Sequence, residues 1–141
     1  MIRDYGQADV ILVGVSRSGK TPTCIYLALH YGLRAANYPL VEEDLVAPVL
    51  PAPLKTHRSR LIGLTIDPEQ LQRIRSRRRN RGRYADPEQC RWEVNQAEAL
   101  FRRHHLPVID TTSVSIEEVA ARITTGILPA LNRTAFQPSA R

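Results

Sequence analysis

A G-x-x-x-x-G-K-[ST] motif occupies residues 14–21, which read Gly14-Val15-Ser16-Arg17-Ser18-Gly19-Lys20-Thr21. Residues 8–13, which contain the apolar run Val10–Val13, precede the motif and predict a buried strand. Residues 23–31 follow the motif and predict a helix. Strand, loop and helix therefore come in the order that a phosphate-binding loop requires. In such a loop the glycines let backbone N–H groups surround a phosphate, and the helix amino terminus adds partial positive charge. All eight motif residues are therefore predicted to bind a nucleotide.

Two side chains at the end of the motif have separate predicted roles. Lys20 supplies a mobile positive charge to the outer phosphates, and the Thr21 hydroxyl is placed to hold a magnesium ion. The competing interpretation is a glycine-rich turn that only closes a β-α unit. The complete motif between a strand and a helix favours nucleotide or phosphate binding.

The composition is that of one domain large enough to bury a core, with 141 residues, 43% of them hydrophobic and 24% charged. The sequence shows no apolar stretch that could span a membrane and no secretory signal, so a cytoplasmic enzyme is expected. Cys24 and Cys90 fall at core-compatible helix positions. They are interpreted as small buried apolar residues rather than as disulfide partners or metal ligands.

The net charge is +6, and the basic residues are 18 arginines and two lysines. Excess positive charge raises the local concentration of anionic substrates, which suits a phosphate-handling protein. Nucleic acid is the competing class of partner.

The order of predicted elements indicates an α/β fold. A short second strand at 34–38 ends at Pro39, and strand, helix and strand in that order imply a right-handed crossover between parallel strands. We therefore expect a P-loop three-layer sandwich with a mainly parallel sheet and flanking helices. The proline-containing connection 39–60, with a single helical turn at 42–45, is long enough to be a lid, a docking surface or a disordered segment.

A third predicted strand, 61–66, ends at Asp67. Many phosphate-loop enzymes place a carboxylate here, on the magnesium shell or near the nucleophile. The same position also begins a helix, with Asp67 as N-cap, Pro68 as the first helical residue and the Gln70 side chain reaching back. Capping and a role in chemistry both remain open for Asp67.

Seven arginines lie between residues 73 and 83. Arginines on a mobile segment can clamp a transferring phosphoryl group, because the guanidinium fork matches phosphate oxygens. The alternative is a solvated basic loop. Arg75 and Arg78 are the clamp candidates, since they lie nearer the helix that precedes the segment.

Two further helices and a fourth strand complete the predicted order. Residues 86–89 repeat the cap signature and begin a helix that runs to about residue 105. Its core face is formed by Cys90, Val94, Ala97 and Phe101. Strand 106–110 ends at Asp110, a second strand-end carboxylate that should share the cleft with the loop. A capping box at 115–118 begins the last helix.

The motif and several later segments together resemble a known family. The segments are 14–23, 25–28, 35–40, 63–68, 83–84, 89–91, 98–101, 109–112 and 115–118. They are similar to the C-terminal domain of the pyruvate, phosphate/water dikinase regulatory proteins, with the bacterial phosphoenolpyruvate synthase regulatory proteins as the nearest kin. The resemblance covers about residues 8–123.

This resemblance implies a bifunctional serine/threonine kinase and phosphorylase. One activity transfers phosphate from ADP to a threonine of the dikinase, beside its catalytic histidine, and inactivates it. The other removes that phosphate with inorganic phosphate as acceptor and forms pyrophosphate. The loop at 14–21 matches the family's ADP site, with Mg²⁺ as cofactor on Thr21 and Asp67. Lys20, Asp67 and Asp110 are the catalytic candidates.

The resemblance also predicts the organisation of the chain. Residues 1–127 are expected to form a P-loop kinase-like domain, residues 128–141 a flexible tail, and the family's N-terminal domain to be absent. The expected protein partner is phosphoenolpyruvate synthase or a related dikinase, a homo-oligomer is compatible with the sequence, and no membrane partner is expected.

Two other functions compete with this reading. A small-molecule kinase of the shikimate or nucleotide-kinase type would use the same core but would need a closed acceptor pocket. A basic nucleic-acid-binding module could be built on residues 73–83, but that segment has no interleaved aromatic before Tyr84. Binding would then be limited to phosphates and sensitive to salt, so nucleic acid is not the favoured partner.

Overall fold

The structure is a computed structural model that describes residues 4–47, 49–78 and 83–129. Four strands form one sheet in the order β2-β1-β3-β4, and every neighbouring pair is parallel. The strands are β1 (Val10–Val15), β2 (Ala35–Leu40), β3 (Leu61–Thr65) and β4 (Val108–Asp110). The predicted α/β fold is confirmed.

Helices cover both faces of the sheet. They are α1 (Lys20–Tyr31), α2 (Glu42–Leu45), α3 (Pro68–Arg78), α4 (Pro87–Arg103) and α5 (Ile116–Arg122), which a π-helical turn at Ile123–Ile127 extends. Short 3-10 segments lie at Tyr5–Gln7, Ala52–Arg60 and Arg83–Ala85. None of the helices in the described ranges is long and apolar enough to cross a membrane.

The alternating residues of β1 divide the core into two clusters. Val10 and Leu12 pack with Leu27 of α1 and Val119 of α5. Their neighbours point the other way, and this second cluster includes Ile11, Val13, Cys90, Val94, Ala97 and Phe101. The predicted core face of the long helix is therefore buried against the sheet, and the fold has three layers.

Gly63 on β3 allows α4 to approach the sheet closely. A Cβ at this position would lie 2.7 Å from Cδ2 of Phe101, which is fully buried. Non-bonded carbon atoms do not approach each other this closely. The aromatic ring therefore occupies the space that a side chain at Gly63 would need.

One prediction about the segment after α1 is wrong. Strand β2 does not end before Pro39 but continues through it to Leu40, and Pro39 pairs in register with Gly14. This is tolerated because β2 is an edge strand of the described sheet, where a missing N–H on the outer side costs no pairing.

The connection that follows packs against the core, so the disordered segment, one of its three predicted alternatives, is wrong. The predicted turn is present as α2, and Leu45, Leu50 and Leu54 are buried in the core cluster with Phe101. Residue 48 lies outside the described residues. The three leucines explain the difference, because a segment that buries apolar side chains at intervals is held against the core.

The predicted helix starts at Asp86 and Ser115 are confirmed. The Asp86 carboxylate accepts a hydrogen bond from the Gln89 N–H at 3.0 Å, and the Ser115 hydroxyl accepts one from the Glu118 N–H at 3.0 Å. Helix α4 ends at Arg103, two residues before the predicted end. Cys24 and Cys90 are both buried free thiols, as small core residues should be.

Candidate functional site

The loop 14–21 lies at the carboxyl end of β1, in the centre of the sheet. In the sheet, β2 pairs with one edge of β1 and β3 pairs with the other edge. The direction in which successive strands are placed therefore reverses between β1 and β3. In open parallel sheets the crevice at such a reversal is where ligands bind. The carboxyl ends of β3 and β4 are level with each other, since Thr65 pairs with Asp110.

Two residues of the loop have left-handed backbone conformations. Arg17 has φ 71° and Gly19, the N-cap of α1, has φ 101°. Successive right- and left-handed residues turn backbone N–H groups toward one point and form a concave anion-binding surface. A positive φ is unusual for arginine, so the contacts of the neighbouring residues must hold the loop in this shape.

Lys20, the second-last residue of the loop 14–21, is buried against the loop backbone. Its ammonium donates to the Val15 carbonyl oxygen at 2.6 Å, and the Ser18 hydroxyl donates to the same oxygen at 2.8 Å. Only 5% of Lys20 is exposed. Burial lowers the pKa of Lys20 to about 8, and the nearby charges of Arg75 and Arg17 act in the same direction. The side chain predicted to be mobile is thus held inside the loop.

A cleft of about 190 Å³ opens beside this lysine. It is lined by Ser16, Arg17, Gly19, Lys20, Thr21, Asn37 and Pro39. The exposed Thr21 hydroxyl accepts a hydrogen bond from the Asn37 side-chain amide at 2.9 Å. Because Asn37 lies on β2, the edge strand fixes the orientation of the Thr21 hydroxyl.

Asp67 caps α3 as predicted. Its carboxylate accepts from the Gln70 N–H at 3.1 Å. The predicted return contact from Gln70 is wrong, because the Gln70 amide donates to the Thr112 carbonyl oxygen at 3.2 Å instead. The Asp67 N–H donates to the Thr112 hydroxyl at 2.8 Å. The loop after β4 therefore takes the place of the glutamine side chain.

The same threonine also holds Asp110. The Thr112 hydroxyl and its backbone N–H both donate to the Asp110 carboxylate, the N–H at 2.9 Å. One hydroxyl thus links the backbone of Asp67 to the side chain of Asp110. The structure brings the two strand-end carboxylates together at one end of the sheet, and both are exposed. Neither is among the residues that line the cleft beside Lys20, so a cleft shared by Asp110 and the loop stays a prediction.

Thr111 ties this end of the sheet to the loop. Its hydroxyl lies 3.1 Å from the carbonyl oxygens of both Ser18 and Thr65, and its N–H donates to the Thr65 carbonyl at 2.8 Å. The Thr65 hydroxyl in turn donates to Glu98 on α4 at 2.8 Å. The turn after β4 therefore packs against the loop 14–21.

Arg75 is buried beneath the loop, with 1% of its surface exposed. Its guanidinium forms an ion pair with Glu93 at 2.8 Å and donates to the carbonyl oxygens of Tyr84 at 3.0 Å and Ser16 at 3.2 Å. A role for Arg75 as a phosphoryl clamp stays a prediction. Arg78 is the last residue of α3, and its side chain lies outside the described residues.

Thr21, which lines the cleft, and Asp67, which follows β3, carry exposed oxygens of the kind that binds magnesium. The described residues contain no group of three or more histidine, cysteine or acidic side chains that could hold a metal. Mg²⁺ commonly keeps several waters and uses one or two protein oxygens plus substrate phosphates. The Thr21 hydroxyl and the exposed Asp67 carboxylate are suitable oxygens for that role.

Five residues of this site were not singled out from the sequence. They are Asn37, Tyr84, Glu93, Thr111 and Thr112. The position of Thr111 and Thr112 directly after a strand-end carboxylate was an available signal. The other three contact the loop or Arg75 across long stretches of chain, and no local pattern marks them.

Comparisons with known proteins show the family of the chain. The model of the Kinase/pyrophosphorylase family matches residues 1–124. The chain belongs to the Kinase/pyrophosphorylase family. The match includes the loop, both strand-end carboxylates and all four strands. No solved structure matches the chain.

Members of this family that resemble the chain carry the provisional name phosphoenolpyruvate synthase regulatory protein. One from Xanthomonas campestris is 59% identical over 120 residues, which is 85% of this chain and 44% of that protein. One from Laribacter hongkongensis is 58% identical over 122 residues, 86% of this chain and 44% of that protein. One from Halorhodospira halophila is 58% identical over 119 residues, which is 84% of this chain and 44% of that protein. The chain thus spans less than half the length of these relatives.

Proposed function

We propose that this chain carries the nucleotide-binding part of a bifunctional kinase and phosphorylase that regulates phosphoenolpyruvate synthase. In the forward reaction ADP phosphorylates a threonine hydroxyl of the synthase, and AMP leaves. In the reverse reaction inorganic phosphate takes the phosphoryl group, which restores the hydroxyl and forms pyrophosphate. Membership of the Kinase/pyrophosphorylase family and the names of the similar proteins support this assignment.

The observation that carries the proposal is the shape of the loop 14–21. Its left-handed residues, Arg17 and Gly19, form an anion-binding concavity at the amino terminus of α1. Lys20 and Thr21 line the adjoining cleft, together with Asn37 and Pro39 of β2. This arrangement suits a chain of phosphates better than it suits any neutral ligand.

The residues around the cleft have separate proposed roles. The loop N–H groups bind the diphosphate, and Lys20 neutralises charge on the transferring phosphoryl group. Thr21 and Asp67 would hold Mg²⁺, which would supply further charge neutralisation on the phosphates. Asp67 or Asp110 orients the attacking oxygen, which is the threonine hydroxyl in one direction and phosphate in the other.

The open side of the cleft supports a protein acceptor. Arg17, Thr21 and Pro39 line the cleft and are exposed, so the loop faces solvent rather than an enclosed pocket. A small-molecule kinase needs walls around its acceptor, whereas a protein acceptor can supply the missing wall itself.

A cytoplasmic location and a homo-oligomeric state stay predictions.

The direct experiment is to incubate the 141-residue chain with purified phosphoenolpyruvate synthase, Mg²⁺ and either ADP or ATP. Threonine phosphate, measured by mass spectrometry, should form with ADP and not with ATP. Adding inorganic phosphate to the modified synthase should release pyrophosphate. Pyruvate, phosphate dikinase in place of the synthase tests the choice of target. No ADP binding by the chain, measured by calorimetry, would refute the nucleotide site itself.

A further inference from the structure

The Ser16 side of the loop is held by residues from a distant part of the chain. Arg75 of α3 donates to the Ser16 carbonyl oxygen at 3.2 Å, and the Tyr84 hydroxyl lies 2.8 Å from the Ser16 hydroxyl oxygen. These partners are 59 and 68 residues away along the sequence. The carbonyl and hydroxyl groups of Ser16 are therefore both fixed from outside the loop, directly before the left-handed Arg17.

Arg75 and Tyr84 also hold each other. The guanidinium carbon lies 4.4 Å from the centre of the Tyr84 ring, and the guanidinium donates to the Tyr84 carbonyl oxygen at 3.0 Å. A cation over an aromatic face attracts the ring, most strongly where water is excluded. The position of the Tyr84 hydroxyl on Ser16 thus depends on Arg75.

Glu93 fixes the guanidinium itself. One carboxylate oxygen accepts from Arg75 at 2.8 Å, and the other accepts from the Gln89 amide at 3.0 Å. Since Arg75 is buried and its contacts extend to α4, the 3-10 segment at Arg83–Ala85 and the loop, it has little freedom to turn toward a ligand. The contacts of Arg75 are therefore those of a residue that supports the loop.

We propose that Arg75 and Tyr84 are positioning residues that hold Ser16, and through it the loop 14–21, in the conformation that binds the diphosphate of ADP. The inference rests on the proposed function, because it assumes that the loop binds ADP. A loop that keeps its shape before binding loses less conformational entropy on binding, so its supports contribute to affinity without contacting the ligand.

The first test is a double-mutant cycle on the hydroxyl pair, with ADP affinity measured by calorimetry on the full 141-residue chain. Ser16→Ala and Tyr84→Phe should each weaken ADP binding by about threefold to tenfold, the effect of one hydrogen bond. The double variant should bind about as well as either single variant, because both remove the same contact. Tyr31→Phe, at the far end of α1, is the matched control and should bind ADP normally.

The second test separates positioning from general stability. Arg75→Lys keeps the charge but cannot span Ser16, Tyr84 and Glu93, so it should weaken ADP binding by about tenfold at a temperature well below its Tm. The double variant Arg75→Met, Glu93→Gln removes both charges of the ion pair, so neither is left unpaired and the variant is expected to fold. It should show a similar loss of ADP affinity. Arg77→Lys, an exposed change on the same helix, should have no effect.

The outcomes are distinguishable. If the original chain does not bind ADP, the proposed function and this inference both fail. If the original chain binds ADP, and the folded Ser16, Tyr84 and Arg75 variants bind it equally well with only a lower Tm, the network is merely structural and this inference alone is wrong.

Discussion

The two ends of the loop 14–21 are held in different ways. At the Lys20 end, the contacts of Lys20 and Thr21 are local: Lys20 donates to Val15, as does Ser18, and Thr21 accepts from Asn37 on the next strand. Thr111 adds a distant contact to the Ser18 carbonyl. At the Ser16 end, the contacts come from Arg75 and Tyr84, beyond two further strands. The Lys20 end therefore depends mainly on the first β-α-β unit, and the Ser16 end depends on the packing of the whole domain. The two ends should therefore respond differently to mutation.

The largest effect is expected from Lys20→Ala. ADP binding should weaken by about a hundredfold, since a buried charged donor is lost, and turnover should fall as well. The fold should survive, because the Val15 carbonyl still accepts from Ser18. Calorimetry and a thermal melt measure the two quantities. Lys55→Ala removes the other lysine, which is exposed, and is the matched control. Normal ADP binding by a folded Lys20→Ala variant would show that the local end does not contact the nucleotide.

The strand-end carboxylates, Asp67 and Asp110, come next. Asp67→Asn keeps a capping oxygen for the Gln70 N–H but removes the charge, so Tm should hardly change. A role in chemistry predicts a fall of about a hundredfold in the rate of threonine phosphorylation, whereas pure capping predicts a normal rate. We expect the fall.

Asp110→Asn run in parallel shows which strand supplies the chemistry. A rate that collapses in Asp110→Asn and holds in Asp67→Asn would contradict our preferred assignment and move the chemical role to β4.

A smaller effect is expected from pH. Burial lowers the pKa of Lys20 from 10.5 to about 8, so the folded chain releases this proton before the unfolded chain does. Stability should therefore rise as pH increases from about 8 toward 10.5, relative to a Lys20→Met variant. ADP binding should weaken over the same range as the charge is lost. Melting curves and calorimetry of both proteins at several pH values check the two trends; parallel curves would contradict the pKa shift.

The smallest effect should come from Asn37→Ala at the local end. Losing one hydrogen bond to Thr21 should weaken ADP binding by about threefold to tenfold. Combined with Tyr84→Phe, the effects should add, because the two variants act on opposite ends of the loop. Strong non-additivity in calorimetry would mean that the ends are coupled and that the contrast between them is wrong.

The same contrast explains what could be predicted from the sequence. The loop, the flanking strand and helix, the caps at Asp86 and Ser115 and the core face of α4 follow from residues within a few positions of one another. Such local patterns are visible without a fold. The support of Ser16 by Arg75 and Tyr84 was not predictable, because nothing near Ser16 indicates which distant arginine will be buried under it.

The errors have the same origin. The Gln70 contact was assigned to its own helix start, but Thr112, 42 residues away, offers its carbonyl oxygen. A disordered segment was one of three alternatives for the proline-containing connection, yet its leucines are buried in the core. In each case a tertiary partner outweighed the local signal.

Pro39 has a consequence for the behaviour of the protein in a crowded solution. An edge strand with free N–H and C=O groups is a template on which another chain can add a strand, which leads to aggregation. Pro39 lies within β2 and also lines the cleft, so the outer edge lacks a donor beside the opening. The residue that interrupts the edge thus protects the mouth of the cleft from strand addition by neighbouring molecules, while leaving it accessible to a folded partner.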